Sequence, residues 1–249
     1  YATLNGYRND NFESYAYVSE DFGTNWTSIS NGLTQAVNVI VEDSANENIL
    51  YIGTDNGLFI SLDKGATWQD FSNGMPNVAV HDAVIQNKAK ELIVGTHGRS
   101  IYKMDISKVQ ELTKEVLAKN LFLFKVSDKT KSERWGTQNY AWGKPSDPSQ
   151  EIWFYSNTDG LVNVSITNDA GMVVNAKKVE AKKGLNSFAY DYLLSKEVAD
   201  KWNKKDKNIK LKAAENQKVY LPVGKYKLTI SKDKVSESKT FELTASKKQ

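Results

Sequence analysis

The sequence predicts an all-β chain in two parts, a segment of a β-propeller followed by a β-sandwich. Three observations predict it: an eight-residue pattern that recurs at a fixed interval, a C-terminal half built of short alternating runs, and a composition rich in aromatic and β-branched residues.

With 249 residues, 40% of them hydrophobic, the chain has the composition of a soluble globular protein of one large or two ordinary domains. Aromatic residues make up 11%, six of them Trp, and Thr, Val, Ile and Tyr fall in short runs, which favours strands. There is no cysteine, so disulfides, thiolate metal sites and cysteine nucleophiles are excluded. No apolar run approaches the length of a transmembrane helix, and no signal peptide begins the chain, so for an exported protein the signal is expected to have been removed or to lie upstream of Tyr1. The net charge of +3 conceals a division: Tyr1 to Ile106 holds six Lys and Arg against thirteen Asp and Glu, whereas Ser107 to Gln249 holds 27 against 17. Two domains with different surfaces account for this. The lysines are scattered, without the Arg-rich, aromatic-interleaved pattern of a nucleic-acid face, and read as solvated surface.

The repeat comes first. Ser19-Glu20-Asp21-Phe22-Gly23-Thr24-Asn25-Trp26 returns 42 residues later as Ser61-Leu62-Asp63-Lys64-Gly65-Ala66-Thr67-Trp68, sharing S-x-D-x-G-x-x-W. Gly53-Thr54-Asp55-Asn56-Gly57-Leu58-Phe59-Ile60 likewise matches Gly95-Thr96-His97-Gly98-Arg99-Ser100-Ile101-Tyr102, which carries the repeat into a third unit. There the turn has decayed to Lys103-Met104-Asp105-Ile106-Ser107, as in an atypical terminal repeat. In the best-defined unit, Val37 to Glu42, Ile49 to Gly53, Leu58 to Ser61 and Thr67 to Phe71 form four strands of one blade. The repeated turn is expected to fold the last hairpin: Asp63 accepts backbone N–H bonds, Gly65 permits a left-handed backbone, and Trp68 returns to pack between blades. Ser19, Asp21, Gly23 and Trp26, like Ser61, Asp63, Gly65 and Trp68, are therefore structural.

These motifs resemble the Asp-box, or BNR, repeats of sialidases, xyloglucan-degrading glycosidases and sortilin-family receptors, and most of all bacterial sortilin-like proteins often labelled as glycosyl hydrolases. In those a final blade carries a Gly-Thr-His-Gly-Arg segment, then an aromatic strand and Asp-Ile-Ser, as Gly95 to Ser107 does here. The resemblance covers residues 1–106 and implies about two and a half blades. An open array of that size exposes apolar faces, so the missing blades are expected from upstream sequence or another chain. It also implies an extracytoplasmic bacterial protein, secreted, periplasmic or held at the outer membrane.

Residues 107–134 read as a connector, with a short helix carried by Val109, Leu112, Val116 and Leu117 and a strand from Leu121 to Val126. Residues 135–249 hold about seven strands. Val162, Val164 and Ile166 alternate with polar neighbours, and Asn168-Asp169-Ala170-Gly171 turns into Met172 to Val179. Asn186 to Tyr190, Lys225 to Ser231 and Lys239 to Leu243 follow, which suggests an immunoglobulin-like β-sandwich. Leu185 to Asp191 and Leu221 to Tyr226 resemble the C-terminal immunoglobulin-like module of the same bacterial proteins, and such modules also resemble the sorting domains of type IX secretion cargo. A Lys-rich insertion occupies residues 195–218, with one or two helical turns around Val198, Ala199 and Trp202.

The loops between second and third strands open on the face opposite the repeated turns. They bring Asp55, Asn56, His97 and Arg99 to one surface, which His81 approaches. These are the ligand-binding candidates, for a protein, peptide or glycan at the propeller mouth. A purely structural role, with His97 and Arg99 bonding backbone carbonyls, competes with it. A glycosidase needs two carboxylates at a defined separation, and Asp55 is the one candidate on that face, so a glycoside hydrolase acting on polysaccharide would hold its catalytic carboxylates largely upstream. The reading leans away from an enzyme and toward a binding or scaffold module of an exported bacterial protein, a scaffold subunit of an envelope complex included. No metal site is expected, because two histidines 16 residues apart lack ligand spacing, and no cofactor motif is present.

Overall fold

The computed structural model describes the whole chain except residues 73, 139–141, 206–210 and 247–249. It is all-β, with 48% strand and 8% helix, and it divides into two compact units, Tyr1–Glu115 and Val116–Gln249. No described helix is long and apolar enough to cross a membrane.

The first unit holds three sheets. The first comprises β1 (Ala2–Gly6), β2 (Asn11–Val18) and β3 (Thr27–Ser28), and the second β4 (Val37–Glu42), β5 (Leu50–Thr54), β6 (Gly57–Ser61) and β7 (Gln69–Asp70). The third comprises β8 (Val80–Gln86), β9 (Glu91–Thr96) and β10 (Ile101–Asp105). Each is an antiparallel meander, and the second shows the full four-strand order. By register and by the repeated turn, the first sheet corresponds to strands two to four of that order and the third to strands one to three. The strand expected over residues 67–71 is only Gln69–Asp70, because the amide and hydroxyl of Thr67 are already bound by Asp63. Ala16, Ile29, Val37, Leu50 and Ile52 form a core shared by the first two sheets, with Trp68 packed against it.

Close approach between sheets depends on Gly53. A β-carbon there would lie 2.5 Å from Val80 Cγ1, 2.7 Å from Val39 Cγ1 and 2.9 Å from the Val80 carbonyl oxygen, so the first strand of the third sheet packs onto bare backbone. After β10 the single helix expected over the connector is two, α1 (Ser107–Gln110) and α2 (Lys114–Leu117), interrupted where the Leu112 and Thr113 amides close tight turns on Val109 and Glu111.

In the second unit, β11 (Leu121–Leu123), β12 (Lys129–Lys131), β13 (Gln150–Ser156), β14 (Gly160–Asn168), β15 (Val173–Ala181), β16 (Gly184–Tyr190) and β17 (Leu193–Leu194) precede α3 (Lys196–Lys205). Then come β18 (Val219–Tyr220), β19 (Gly224–Lys232) and β20 (Val235–Ala245). One sheet runs β11-β13-β16, a second β12-β20-β19-β14-β15 with β12 parallel to β20, and β17 pairs with β18. The inward residues of both large sheets share one core: Ile152, Phe154, Phe188 and Tyr190 from the first, Val164, Ile166, Leu228, Ile230, Phe241 and Leu243 from the second. The expected one or two helical turns near Trp202 are ten residues long, and Ala199 and Trp202 bury into the core. The middle of the Lys-rich insertion, 206–210, lies outside the described residues.

Lys232, at the end of β19, follows the inward phase of Leu228 and Ile230 and is itself buried. Its ammonium donates to Ser156 Oγ at 3.1 Å, the Thr158 carbonyl at 2.5 Å, Thr158 Oγ1 at 2.7 Å and the Asp159 carbonyl at 3.0 Å. Those acceptors form the turn by which the chain leaves β13 in one sheet for β14 in the other. Lys232 thus adds charged donors to a turn in which the Ser156 hydroxyl also serves the Thr158 carbonyl, at 2.8 Å.

Candidate functional site

The two repeated turns fold alike. Asp21 Oδ1 accepts from Ser19 Oγ at 2.9 Å and the Asn25 amide at 2.8 Å, and Asp63 Oδ1 accepts from Ser61 Oγ at 2.7 Å and the Thr67 amide at 2.8 Å. Each serine hydroxyl also accepts the glycine amide, at 2.7 Å in Gly23 and 2.8 Å in Gly65. Both glycines are left-handed, at φ 88° and 87°, and the residue before each, Phe22 or Lys64, also has positive φ. Their tryptophans differ in what they reach. The Trp68 indole N–H crosses to the Ile29 carbonyl of the preceding sheet at 2.6 Å, whereas that of Trp26 bonds Gly23 of its own turn and the ring stays 48% exposed.

The third unit places Gln110 one period after Trp68, and it too reaches back. Its amide donates at 3.1 Å to both oxygens of Asp43, a carboxylate only 1% exposed that also accepts from the Ala45 and Asn46 amides and the Tyr51 hydroxyl. Burial, then the charge and hydrogen bond of Asp43, push the Tyr51 phenol up, so it stays a donor.

Burial raises the Asp63 pKa, but hydrogen bonds from Thr67, Ser61 and Ala66 outweigh it and hold the carboxyl below its ordinary value. A carboxylate depressed in the folded state stabilises above its unfolded pKa of about 3.9, and that stability disappears as pH falls through the folded value. Asp63→Ala is accordingly expected to cost about 1 kcal/mol at pH 7, the screened worth of a partly exposed charged acceptor. Urea unfolding at pH 7 and pH 3 should show the gap between variant and parent narrowing in acid.

At the other end of the strands the sequence candidates emerge. Asp55 and Asn56 form the β5–β6 turn, and His97 and Arg99 the β9–β10 turn; Asn56, His97 and Arg99 are exposed, Asp55 half-buried. The Thr54 hydroxyl donates to the Gly57 carbonyl, and that of Thr96 to the Ser100 carbonyl, so matching threonines shape both turns. His81 lies on β8, its ring centre 5.3 Å from that of His97. His81, expected to approach this surface, is carried into contact with His97 by strand pairing, which brings together residues distant along the chain.

Asn38 and Asn5 complete the row and were not among the sequence candidates. Asn5 Nδ2 donates to Asn38 Oδ1 at 2.7 Å, and Asn38 Nδ2 to Asp55 Oδ1 at 2.8 Å, so the hydrogen bonds cross from the first sheet to the second. Asn38 is the bulged residue between Val37, opposite Thr54, and Val39, opposite Gly53; His81 is its counterpart between Val80, opposite Thr96, and Asp82, opposite Gly95. Aligning the two first strands on their valines would have revealed the match. The bulge turns each side chain toward the turn after the neighbouring strand. Among the described residues the side chains of His81, His97 and Arg99 have no hydrogen-bond or ion-pair partner, and no three His, Cys, Asp or Glu cluster as metal ligands.

No protein-family model matches the sequence, and no curated protein is significantly similar. Among solved structures, the chain is similar to PorZ, described as an essential bacterial surface component of the type-IX secretion system of human oral-microbiomic Porphyromonas gingivalis. That match has TM-score 0.30 and 12% identity, covering 94% of this chain and 25% of PorZ. A second similarity is to the BSP domain of a biofilm-associated protein, with TM-score 0.24 and 9% identity over 84% of this chain and 25% of that one. The chain thus spans about a quarter of the length of each.

Proposed function

We propose that the first unit is a set of Asp-box propeller blades belonging to an exported bacterial binding protein, and that the second is an immunoglobulin-like sandwich that orients or anchors it. The identical hydrogen bonding of the turns at Asp21 and Asp63, and the reach of Trp68 and Gln110 to preceding units, support the blade reading. The half-exposed Trp26 marks the face on which a further blade packs.

The ligand face is the row Asn5, Asn38, Asp55, His81, His97 and Arg99, and the ligand is a peptide segment of another protein. One observation carries this: the amides of Asn5 and Asn38 run by hydrogen bonds to the Asp55 carboxylate, and the matching strand and turn of the next sheet leave His81, His97 and Arg99 exposed and unbound. Side-chain amides offer donor and acceptor together, as a peptide backbone requires, while Asp55 and Arg99 suit side chains of opposite charge.

The test is selection of peptides from a displayed library on the full chain, beside a glycan array, with Asn38→Ala and Arg99→Ala as comparison proteins. Selected peptides should bind each variant at least about tenfold more weakly, the loss of one charged or bidentate hydrogen bond. Peptides that bind both variants as well as the parent, or glycans retained in their place, would overturn the assignment.

A further inference from the structure

We propose that His81 and His97 form a two-imidazole site for a borderline divalent cation of the Zn²⁺, Ni²⁺ or Cu²⁺ class, with its remaining coordination positions open.

In the second sheet the bulged residue of the first strand and the first residue of the following turn are Asn38 and Asp55, joined directly by a 2.8 Å hydrogen bond. In the third sheet the same two positions hold His81 and His97, whose rings stand 5.3 Å apart at 67°. No direct hydrogen bond closes that pair, and neither side chain bonds any other described residue. Two exposed imidazoles therefore lie in contact with no hydrogen bond from a described residue engaging their nitrogens.

Their separation fits a shared ion. A metal about 2.0 Å from an imidazole nitrogen lies about 3.2 Å from that ring's centre, and a tetrahedral angle between two such ligands sets the centres about 5.2 Å apart. A right angle would bring them to about 4.5 Å. The observed 5.3 Å matches the tetrahedral arrangement, the preferred geometry of zinc. Imidazole also selects Zn, Cu and Ni over Mg and Ca, which prefer oxygen. With no third His, Cys, Asp or Glu grouped there among the described residues, water or a donor of a bound molecule fills the rest of the shell. Such an ion can hold a carboxylate, a terminal amine or an imidazole presented to it.

An edge-to-face ring contact would give a similar separation without any ion, and metal binding tells the two apart. The chain has only two histidines and no cysteine, so imidazole ligation in the untagged protein reports this pair alone. The experiment is titration of the tag-free full chain with Cu²⁺, followed by electron paramagnetic resonance, and with Zn²⁺, followed by calorimetry. One equivalent should bind, with hyperfine coupling from two imidazole nitrogens. Loss of even an outer-shell partner weakens metal sites by roughly tenfold, so His81→Asn and His97→Asn should each weaken binding by at least that factor. Both positions are exposed, so the variants should keep the parent's circular dichroism. Absence of binding, coupling to a single nitrogen, or affinity unchanged in either variant would overturn the site.

Discussion

Gly53→Ala is expected to lower the stability of the first unit by about 3 kcal/mol, the upper end of the cost of overpacking a filled interior. The added carbon would meet three atoms at 2.9 Å or less, one of them the Val80 carbonyl oxygen, which can move only with its strand. Val39 and Val80 are β-branched and have little rotameric room to yield. Separation of the second and third sheets would therefore be the response, at the expense of the contacts that hold them. Gly95 holds the matching position in the third sheet and makes an internal control, because a carbon there would lie 3.7 Å from Asp82, at ordinary contact. Gly95→Ala should unfold in urea close to the parent midpoint, with Gly53→Ala well below it. Equal midpoints would contradict the packing described.

Lys232→Met is expected to destabilise the second unit by a similar amount, about 3 kcal/mol. Methionine fills the space of the stem but leaves the Thr158 and Asp159 carbonyls and two hydroxyls without the ammonium that serves them. The penalty is the loss of four hydrogen bonds from a charged donor, since among the described residues only the Thr158 carbonyl keeps another donor, the Ser156 hydroxyl at 2.8 Å. Lys234, two residues on, is exposed, so Lys234→Met should be neutral by the same denaturation assay. The pair separates a structural lysine from the surface lysines that dominate this half of the sequence.

Both residues show what the sequence makes legible and where it stops. The period of the repeat was readable because the turn needs a serine, an aspartate, a left-handed glycine and an aromatic ring at fixed offsets, and few other sequences meet those demands. Strand positions followed from alternation, and the inward phase of Leu228 and Ile230 already pointed Lys232 into the core; composition alone suggested solvated surface. The bulges at Asn38 and His81 left no local mark, since one extra residue is visible only against the strand opposite. The polar row was accordingly half legible: its turn residues stood out through the repeat, while the residues they meet depended on register. The meeting of His81 and His97 was hidden for the same reason, because their spacing along the chain says nothing of the strand pairing that brings them together.

The link from Trp68 to Ile29 has a consequence for the order in which the protein acquires its structure. The Ile29 carbonyl receives its indole partner from a residue 39 positions later, and Gln110 closes on Asp43 across 67. A chain emerging from the ribosome therefore closes these two links only after the following sheet has appeared. Until then its aromatic and valine-rich flank stays uncovered, the kind of surface through which partly folded chains associate.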